Sequence, residues 1–357
     1  MRILLLPISL LYHIVLTIRH KLYDWHILKT TRFEKPVICV GNLNLGGTGK
    51  TPHTEYLVNL LKDNYRVATL SRGYGRKTKG FKLAEGTSTY EDLGDEPLQY
   101  FKKFPEIQVA VDEDRVDGVQ RLLKSKNTPE VILLDDAFQH RSIKAGLNIL
   151  LTKYQHLYCD DFLVPAGTLR DVKSAAKRAH IIVVSKSPKD LSETEQAAIK
   201  AKLKPQEHQK VYFSYLEHKD LQPLNTYAKN YAYETADSAL SFCGIAHPNP
   251  LIYKLKQQYQ HLEVMTFPDH HTYTEEDARN ILKRFESIVS EKKIIVTTEK
   301  DVARLTNSPY LCQFECAPLY VLPVSVRFHE EEKFNKEILS YVRKNSHDRW
   351  LHQIEDQ

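Results

Sequence analysis

The sequence predicts an α/β fold: a domain built on a parallel sheet, a second, smaller α/β domain behind it, and a strongly apolar N-terminal helix. Three observations carry this. Apolar runs of strand length alternate with helix-compatible stretches over the first half of the chain, the pattern that builds parallel sheets. A second set of such runs follows a polar stretch around residues 186–210. The opening residues are almost wholly apolar. A length of 357 residues agrees with two domains at about 150 residues each.

From Ile3 to Ile18 the chain is apolar except at Pro7, Ser9, Tyr12, His13 and Thr17, and Arg19, His20, Lys21, Tyr23, Trp25, His26 and Lys29 follow. A bilayer span needs about 20 apolar residues, and no small-residue cleavage site marks a signal peptide. Residues 1–30 are therefore expected as a helix lying in the membrane interface, its basic and aromatic flank at headgroup level. A buried core helix is the alternative.

Strands are expected at 36–41, 66–70, 107–111, 131–134, 147–151 and 181–184, forming a core domain over 31–215. Further strands at 239–243, 262–267, 294–297 and 319–324 give the smaller domain, 216–340, followed by a polar tail, 341–357. One helix there is well signalled. Thr274 caps it with Asp277 in the capping-box position, and Ala278, Ile281, Leu282, Phe285 and Val289 make its apolar face.

Composition excludes several classes. With 42% hydrophobic and 27% charged residues, the chain is neither disordered, collagen-like nor coiled coil. Five cysteines, an odd count without a Cys-x-x-Cys pair, fit neither a disulfide framework nor a zinc ribbon and point to a reducing compartment. A net charge of +5 falls short of a nucleic-acid-binding stripe, so no nucleic acid partner is expected.

Residues 44–51, Asn44-Leu45-Gly46-Gly47-Thr48-Gly49-Lys50-Thr51, sit between a predicted strand and a helix-compatible stretch containing Leu57, Val58, Leu60 and Leu61. That setting makes the segment a phosphate-binding loop and the fold a P-loop NTPase type. Its glycines let backbone N–H groups face phosphate oxygens, Lys50 reaches the β- and γ-phosphates, and the Thr51 hydroxyl holds Mg²⁺. Asn44 replaces the first glycine, and asparagine enters the left-handed region more readily than most residues. Glu130–Asp136 is an apolar strand ending in two acids, the form of a Walker B element, and either Asp135 or Asp136 is the magnesium partner. Partition ATPases carry a lysine where Leu45 stands, and neither Ser185-Lys186-Ser187-Pro188 nor Thr298-Glu299-Lys300-Asp301 has the register of a guanine-recognition element. ATP is the expected nucleotide.

Further pieces then match one family: Ser71-Arg72-Gly73-Tyr74-Gly75-Arg76, Gly94-Asp95-Glu96-Pro97, Asp135-Asp136-Ala137-Phe138-Gln139-His140, Pro165-Ala166-Gly167-Thr168-Leu169-Arg170, Phe242-Cys243-Gly244-Ile245-Ala246 and Phe267-Pro268-Asp269-His270-His271. In this order, from the N-terminal helix to about residue 325, the chain resembles tetraacyldisaccharide 4′-kinase, the lipid A 4′-kinase of Gram-negative bacteria. Ala137 stands where the family has Gly, and Asp171 where Glu is commoner. The resemblance implies transfer of the ATP γ-phosphoryl group to the 4′-hydroxyl of a tetraacyldisaccharide 1-phosphate, giving a lipid A precursor, at the cytoplasmic face of the inner membrane with Mg²⁺.

It also implies that Asp95 and His270 form a base dyad across a cleft, with His271 the fallback, and that Arg72 and Arg115 act on phosphate. A sugar hydroxyl is a poor nucleophile at neutral pH, so a positioned base helps. Arg76 and Arg170 are further candidate anion binders. Tyr74, Glu96 and Asp171 are expected to support substrate or base. Asp269-His270-His271 lacks a third ligand at zinc spacing, which excludes a zinc site. A nucleotide-switched membrane protein is the competing class, but a switch has no use for a base aimed at a sugar hydroxyl.

Overall fold

The structure, a computed structural model, describes residues 5–305 and 310–355; residues 1–4 and the end of the expected tail lie outside the described residues. Helix α1 runs Leu6–Asp24 with Pro7 in its first turn, where a missing N–H costs nothing. It is amphipathic in an inverted sense. Ser9, Leu16 and His20 face the protein, while Leu10, Leu11, Ile14, Val15 and Ile18 are all exposed. Polar anchors hold it: the Ser9 hydroxyl donates to Leu163 O and accepts from Ala166 N, and the Tyr12 hydroxyl donates to Arg170 O. No described helix is long and apolar enough to cross a membrane.

The principal strands and helices that follow are β1 (Val37–Asn42), α2 (Lys50–Leu61), β2 (Val67–Ser71), α3 (Asp95–Lys103), β3 (Gln108–Val111), α4 (Arg115–Leu123), β4 (Val131–Asp135), β5 (Leu147–Lys153), β6 (Ile181–Ser185), α5 (Glu193–Leu203) and β7 (Lys210–His218). β1 to β4 and β6 are buried along their lengths except at Gln108, as expected for strands covered on both faces. A second set comprises β8 (Ser238–Cys243), α6 (Asn249–Gln258), β9 (His261–Thr266), α7 (Glu275–Ser287), β10 (Lys293–Thr297), α8 (Glu299–Leu305) and β11 (Leu319–Val321), before β12 (Val324–Phe328) and α9 (Glu331–Glu355) end the chain.

The large sheet has the order β12-β7-β6-β5-β1-β4-β2-β3, with Lys82–Leu83 as a ninth strand at its edge. It is parallel except for β12 and that edge. β1 lies between β4, with Val40 opposite Asp135, and β5, with Asn42 opposite Leu151. The direction of winding reverses there, which opens a crevice beyond the carboxyl ends of the strands. The smaller sheet, β11-β10-β8-β9 plus Gln222–Pro223, is parallel but for that last pairing.

Three expectations need correction. The smaller unit was expected over 216–340, but β12 returns to the large sheet, with Phe328 opposite Ser214, and α9 buries Phe334, Ile338 and Val342 in the same apolar cluster as Leu57, Val58 and Leu61 of α2. The tail expected from 341 therefore begins inside α9. The helix capped by Thr274 forms with both capping-box bonds, yet it ends at Ser287, so Val289 lies past it, fully exposed. Strand β7 was not expected at all. Its outer half, Tyr215, Leu216, Glu217 and His218, is only part-buried and mixes polar with apolar residues, so it lacks the continuous apolar run of the other strands.

Candidate active site

The loop between β1 and α2 is shaped by glycine: Gly46, Gly47 and Gly49 have φ of +62°, +67° and +87°, a region in which a Cβ is strained. Asn44 is not in that region, so the conformational reason expected for it fails. Its side chain instead is buried and donates to the Asp161 carboxylate and the Thr168 hydroxyl at 3.1 Å, while Leu45 N donates to Thr168 O. The 161–170 segment thus props the loop. His53 fixes the other side, donating from Nδ1 to Gly49 O at 2.6 Å and accepting at Nε2 from Ser214. Burial pushes its pKa down to about 4, so it stays neutral in this role.

Lys50 opens α2 and rests 3.6 Å from Asp136. Asp136 also takes the Arg170 guanidinium on both oxygens; burial works against its ionisation, but Lys50 and Arg170 outweigh it and hold the carboxyl below its ordinary range. Asp135 is its opposite. It has no exposure, Oδ2 accepts from Tyr100 at 2.8 Å, and Oδ1 is buried without a hydrogen bond. Burial, then Glu96 and Asp136, push its pKa up to about 7.

An unsatisfied, reluctantly ionised carboxylate beside the loop is what a divalent cation would relieve. The Thr51 hydroxyl, 3.3 Å from Glu96, is the second oxygen suited to it. Among the described residues no group of three or more His, Cys, Asp or Glu side chains is placed to hold a metal ion by itself.

A cleft of about 350 Å³ lies between the loop and the smaller unit, lined among others by Lys50, Thr51, Glu96, Lys186, His247 and His270. Two sheets meet here. Asp95, at the start of α3, accepts from His270 Nδ1 at 2.9 Å; His270 sits after β9 at φ +62°, a strained conformation of the kind that collects at functional sites. Burial of Asp95 acts upward on its pKa, but the His270 bond and the Arg304 charge outweigh it, leaving the carboxyl below its usual value. Tyr74, three-quarters exposed, presents its ring edge-on to His270 with centroids 5.8 Å apart. His271 instead bonds Asp277 at 2.9 Å and stacks on Phe267, so its ring is engaged by the helix cap.

Other sequence-derived candidates are placed differently. Asp171, expected to support substrate, is wholly buried; its Oδ1 accepts from His20 Nε2 at 2.6 Å and its Oδ2 meets Arg178. It ties α1 to the core and has no surface to offer a ligand. Arg170 bonds Asp136 and Asn42 and Arg76 pairs with Glu113 at 2.6 Å, while Arg170 Nε and Arg76 Nε and Nη1 have no hydrogen-bond partner. Arg115 is 1% exposed and donates to the carbonyls of Asp112 and Glu113, with Nε and Nη2 unpartnered. Burial pulls its pKa down to about 10. Arg72 follows β2, exposed.

The sequence reading missed a second group. Lys153 and Lys186 lie at or just beyond the ends of β5 and β6, and a Cβ on Gly47 would stand 3.0 Å from both Lys153 Nζ and His247 Nε2. Burial, then Lys153 and Lys300, draw the Lys186 pKa down to about 8. Also missed was α8, whose Glu299, Lys300 and Arg304 pair with Lys103, Glu96 and Asp95. The lysines carry the ordinary signal of cations at carboxyl strand ends. The α8 residues carry none, because their partners are some 200 positions away.

The tetraacyldisaccharide-1-P 4′-kinase family model matches residues 1–343. Tetraacyldisaccharide 4′-kinase of Flavobacterium johnsoniae is 46% identical over 347 residues, covering 97% of this chain and 98% of that protein. The Bacteroides thetaiotaomicron enzyme of the same name is 44% identical, covering 96% and 93%. The crystal structure of an "apo" form of LpxK from Aquifex aeolicus in complex with ATP superposes with a TM-score of 0.71 at 31% identity, over 96% of this chain and 99% of that one. With the glycine-rich loop and His270 lining one cleft, Asp136 beside Lys50, Asp95 bonded to His270, and similarity that runs nearly end to end, the chain belongs to the tetraacyldisaccharide-1-P 4′-kinase family.

Proposed function

We propose that the cleft is a P-loop kinase site in which ATP phosphates lie on residues 44–51 and the Asp95–His270 pair removes the proton from the 4′-hydroxyl of a tetraacyldisaccharide 1-phosphate. The observation that carries this reading is the 2.9 Å bond between Asp95, at the start of α3, and His270, in the turn after β9, at the cleft that holds Lys50. With Nδ1 donating to Asp95, the neutral imidazole keeps a lone pair on Nε2, and the carboxylate favours the charged ring that forms as the proton arrives. The deprotonated oxygen then bonds to the γ-phosphorus as the bond to the ADP oxygen breaks.

The surrounding residues divide the rest of the work. Lys50 transfers from Asp136 to the β- and γ-phosphates, and Arg170 keeps Asp136 ionised and still. Thr51 and Asp135 would hold Mg²⁺, which supplies charge neutralisation on the phosphates. Arg72 and Tyr74 face the lipid headgroup, Arg115 contributes positive potential from behind them, and Glu96 positions Thr51. The exposed apolar face of α1 enters the bilayer interface at the cytoplasmic face of the inner membrane. An apolar groove of about 800 Å³ beside it, lined by Leu6, Leu10, Phe162, Leu163 and Leu169, receives acyl chain.

The test is a single-turnover assay with ATP, Mg²⁺ and a tetraacyldisaccharide 1-phosphate in mixed micelles, following a lipid product that gains one phosphoryl group. Wild-type protein is expected to form it, and Asp95→Asn and His270→Ala to lose most of the rate with ATP affinity changed by less than about threefold. No product from wild type, or full rates from both variants, would overturn the assignment.

A further inference from the structure

Arg304 lies on α8 and is almost wholly buried. Its Nε donates to Asp95 Oδ2 at 2.8 Å, the same oxygen that accepts from His270 Nδ1 at 2.9 Å. Its Nη1 donates to Gly244 O at 2.8 Å, and that carbonyl also accepts from the backbone N of His270 at 3.3 Å. One guanidinium therefore braces the side chain of one dyad member and the backbone anchor of the other. Arg304 is held in turn by Asp301 at 3.2 Å. Asp301 has no exposure, and its oxygens are filled by Gly244 N, the Tyr273 hydroxyl and the Thr298 hydroxyl.

The neighbouring pairs on the same seam, Lys300 with Glu96 and Glu299 with Lys103, involve more exposed side chains. The Arg304 guanidinium is 2% exposed and Asp95 13%, so its charge is the least screened by solvent.

We propose that Arg304 is the positioning residue of the Asp95–His270 base: it fixes both partners from the smaller unit and sets the pH at which the pair takes up a proton. This rests on the base assignment above. Both donors use the same oxygen, Asp95 Oδ2. The planar fork is required, because a lysine ammonium at the same place supplies charge but not two fixed donor directions toward Asp95 and Gly244 O. The charged or titratable groups facing the pair are Arg304, Asp269, whose Oδ2 is 3.8 Å from His270 Nε2, the Tyr74 ring and the Lys300–Glu96 pair next along α3. Arg304 is the only one of these bonded to Asp95 among the described residues. Removing its cation makes the pair hold a proton more tightly, which moves the acid limb of the rate profile to higher pH.

The experiment measures kcat, KM for ATP and the pH dependence of kcat/KM for the lipid in full-length wild type, Arg304→Gln and Arg304→Lys, with Asp95→Asn, His270→Ala and the double variant Arg304→Gln/Asp95→Asn as references. Arg304→Gln is expected to lower kcat at least about tenfold with the ATP KM within about twofold, and to raise the acid limb by about one pH unit. Arg304→Lys should restore the limb but only part of kcat. The double variant should be within about threefold of Asp95→Asn, since groups acting as a unit are not additive.

A lowered kcat with an unmoved limb, or a fully multiplicative double variant, makes Arg304 a mere strut and overturns the proposal. Should Arg304→Gln fail to fold, Arg304→Lys decides: wild-type kcat there removes the need for the fork and refutes the proposal. Wild-type rates from Asp95→Asn and His270→Ala would instead overturn the base assignment and the proposal with it, a result distinguishable because the Arg304 variants play no part in it.

Discussion

Replacing Asp135 with Asn should stabilise the metal-free protein and abolish its kinase activity, with the stabilisation growing as pH rises from about 4 and complete above about 7. Asp135 is fully buried, its Oδ1 has no hydrogen bond, and its pKa stands at about 7 against an ordinary 3.8. A carboxyl whose folded pKa is raised binds its proton more tightly when folded, so wild-type stability is greatest at low pH and falls as pH rises from about 4 to about 7, then levels off. That interval corresponds to roughly 4 kcal/mol at pH 8, an upper bound, since the neighbouring carboxylates redistribute protons. Asn keeps an oxygen for the Tyr100 hydroxyl and carries no charge. At about 2 °C per kcal/mol for a long chain, Asp135→Asn should melt several degrees above wild type at pH 8 in EDTA, and within about 2 °C of it near pH 4.5. With Mg²⁺ and ATP added the order should narrow or reverse, because only wild type gains binding energy from the ion. Thermal melts of both proteins across this pH range decide it. A variant that melts below wild type at pH 8, or a difference that does not vary with pH, would refute the reasoning.

Three further outcomes are expected. Lys50→Ala should remain folded and slow phosphoryl transfer by at least about a hundredfold, and undiminished turnover would remove the phosphate-loop assignment. Changing Leu10, Leu11 and Ile14 together to Gln leaves the buried Ser9, Leu16 and His20 in place, so melting should hold while flotation with anionic liposomes falls by at least about tenfold; equal flotation would free α1 of a membrane role. Asp171→Asn disrupts a buried network that joins α1 through His20 to Arg178, and loss of about 3 kcal/mol is expected, visible as a lower melting temperature with the lipid KM within about twofold. A tenfold rise in that KM without loss of stability would return Asp171 to the substrate.

What the sequence determined by itself is what repeats locally. The strands of both sheets were legible wherever burial on two faces enforces an unbroken apolar run, as at 36–41, 131–134 and 294–297. The Thr274–Asp277 cap was legible because its bonds span three residues. The loop at 44–51 was legible because its chemistry is carried by adjacent backbone groups. Tertiary structure decided the rest. β7 and α9 present mixed patterns whose partners come from distant strands, so only packing made β12 rejoin the large sheet and placed α9 on α2. Asn44 reads as a conformational substitute for glycine, yet its side chain serves Asp161 and Thr168. Asp171 and Arg170 follow directly on the Pro165–Leu169 run, and the fold turned one inward to His20 and locked the other on Asp136. Arg304 gave no signal, since a guanidinium takes its function from the carboxylate that long-range folding sets beside it, and Asp95 lies 209 positions earlier in the chain.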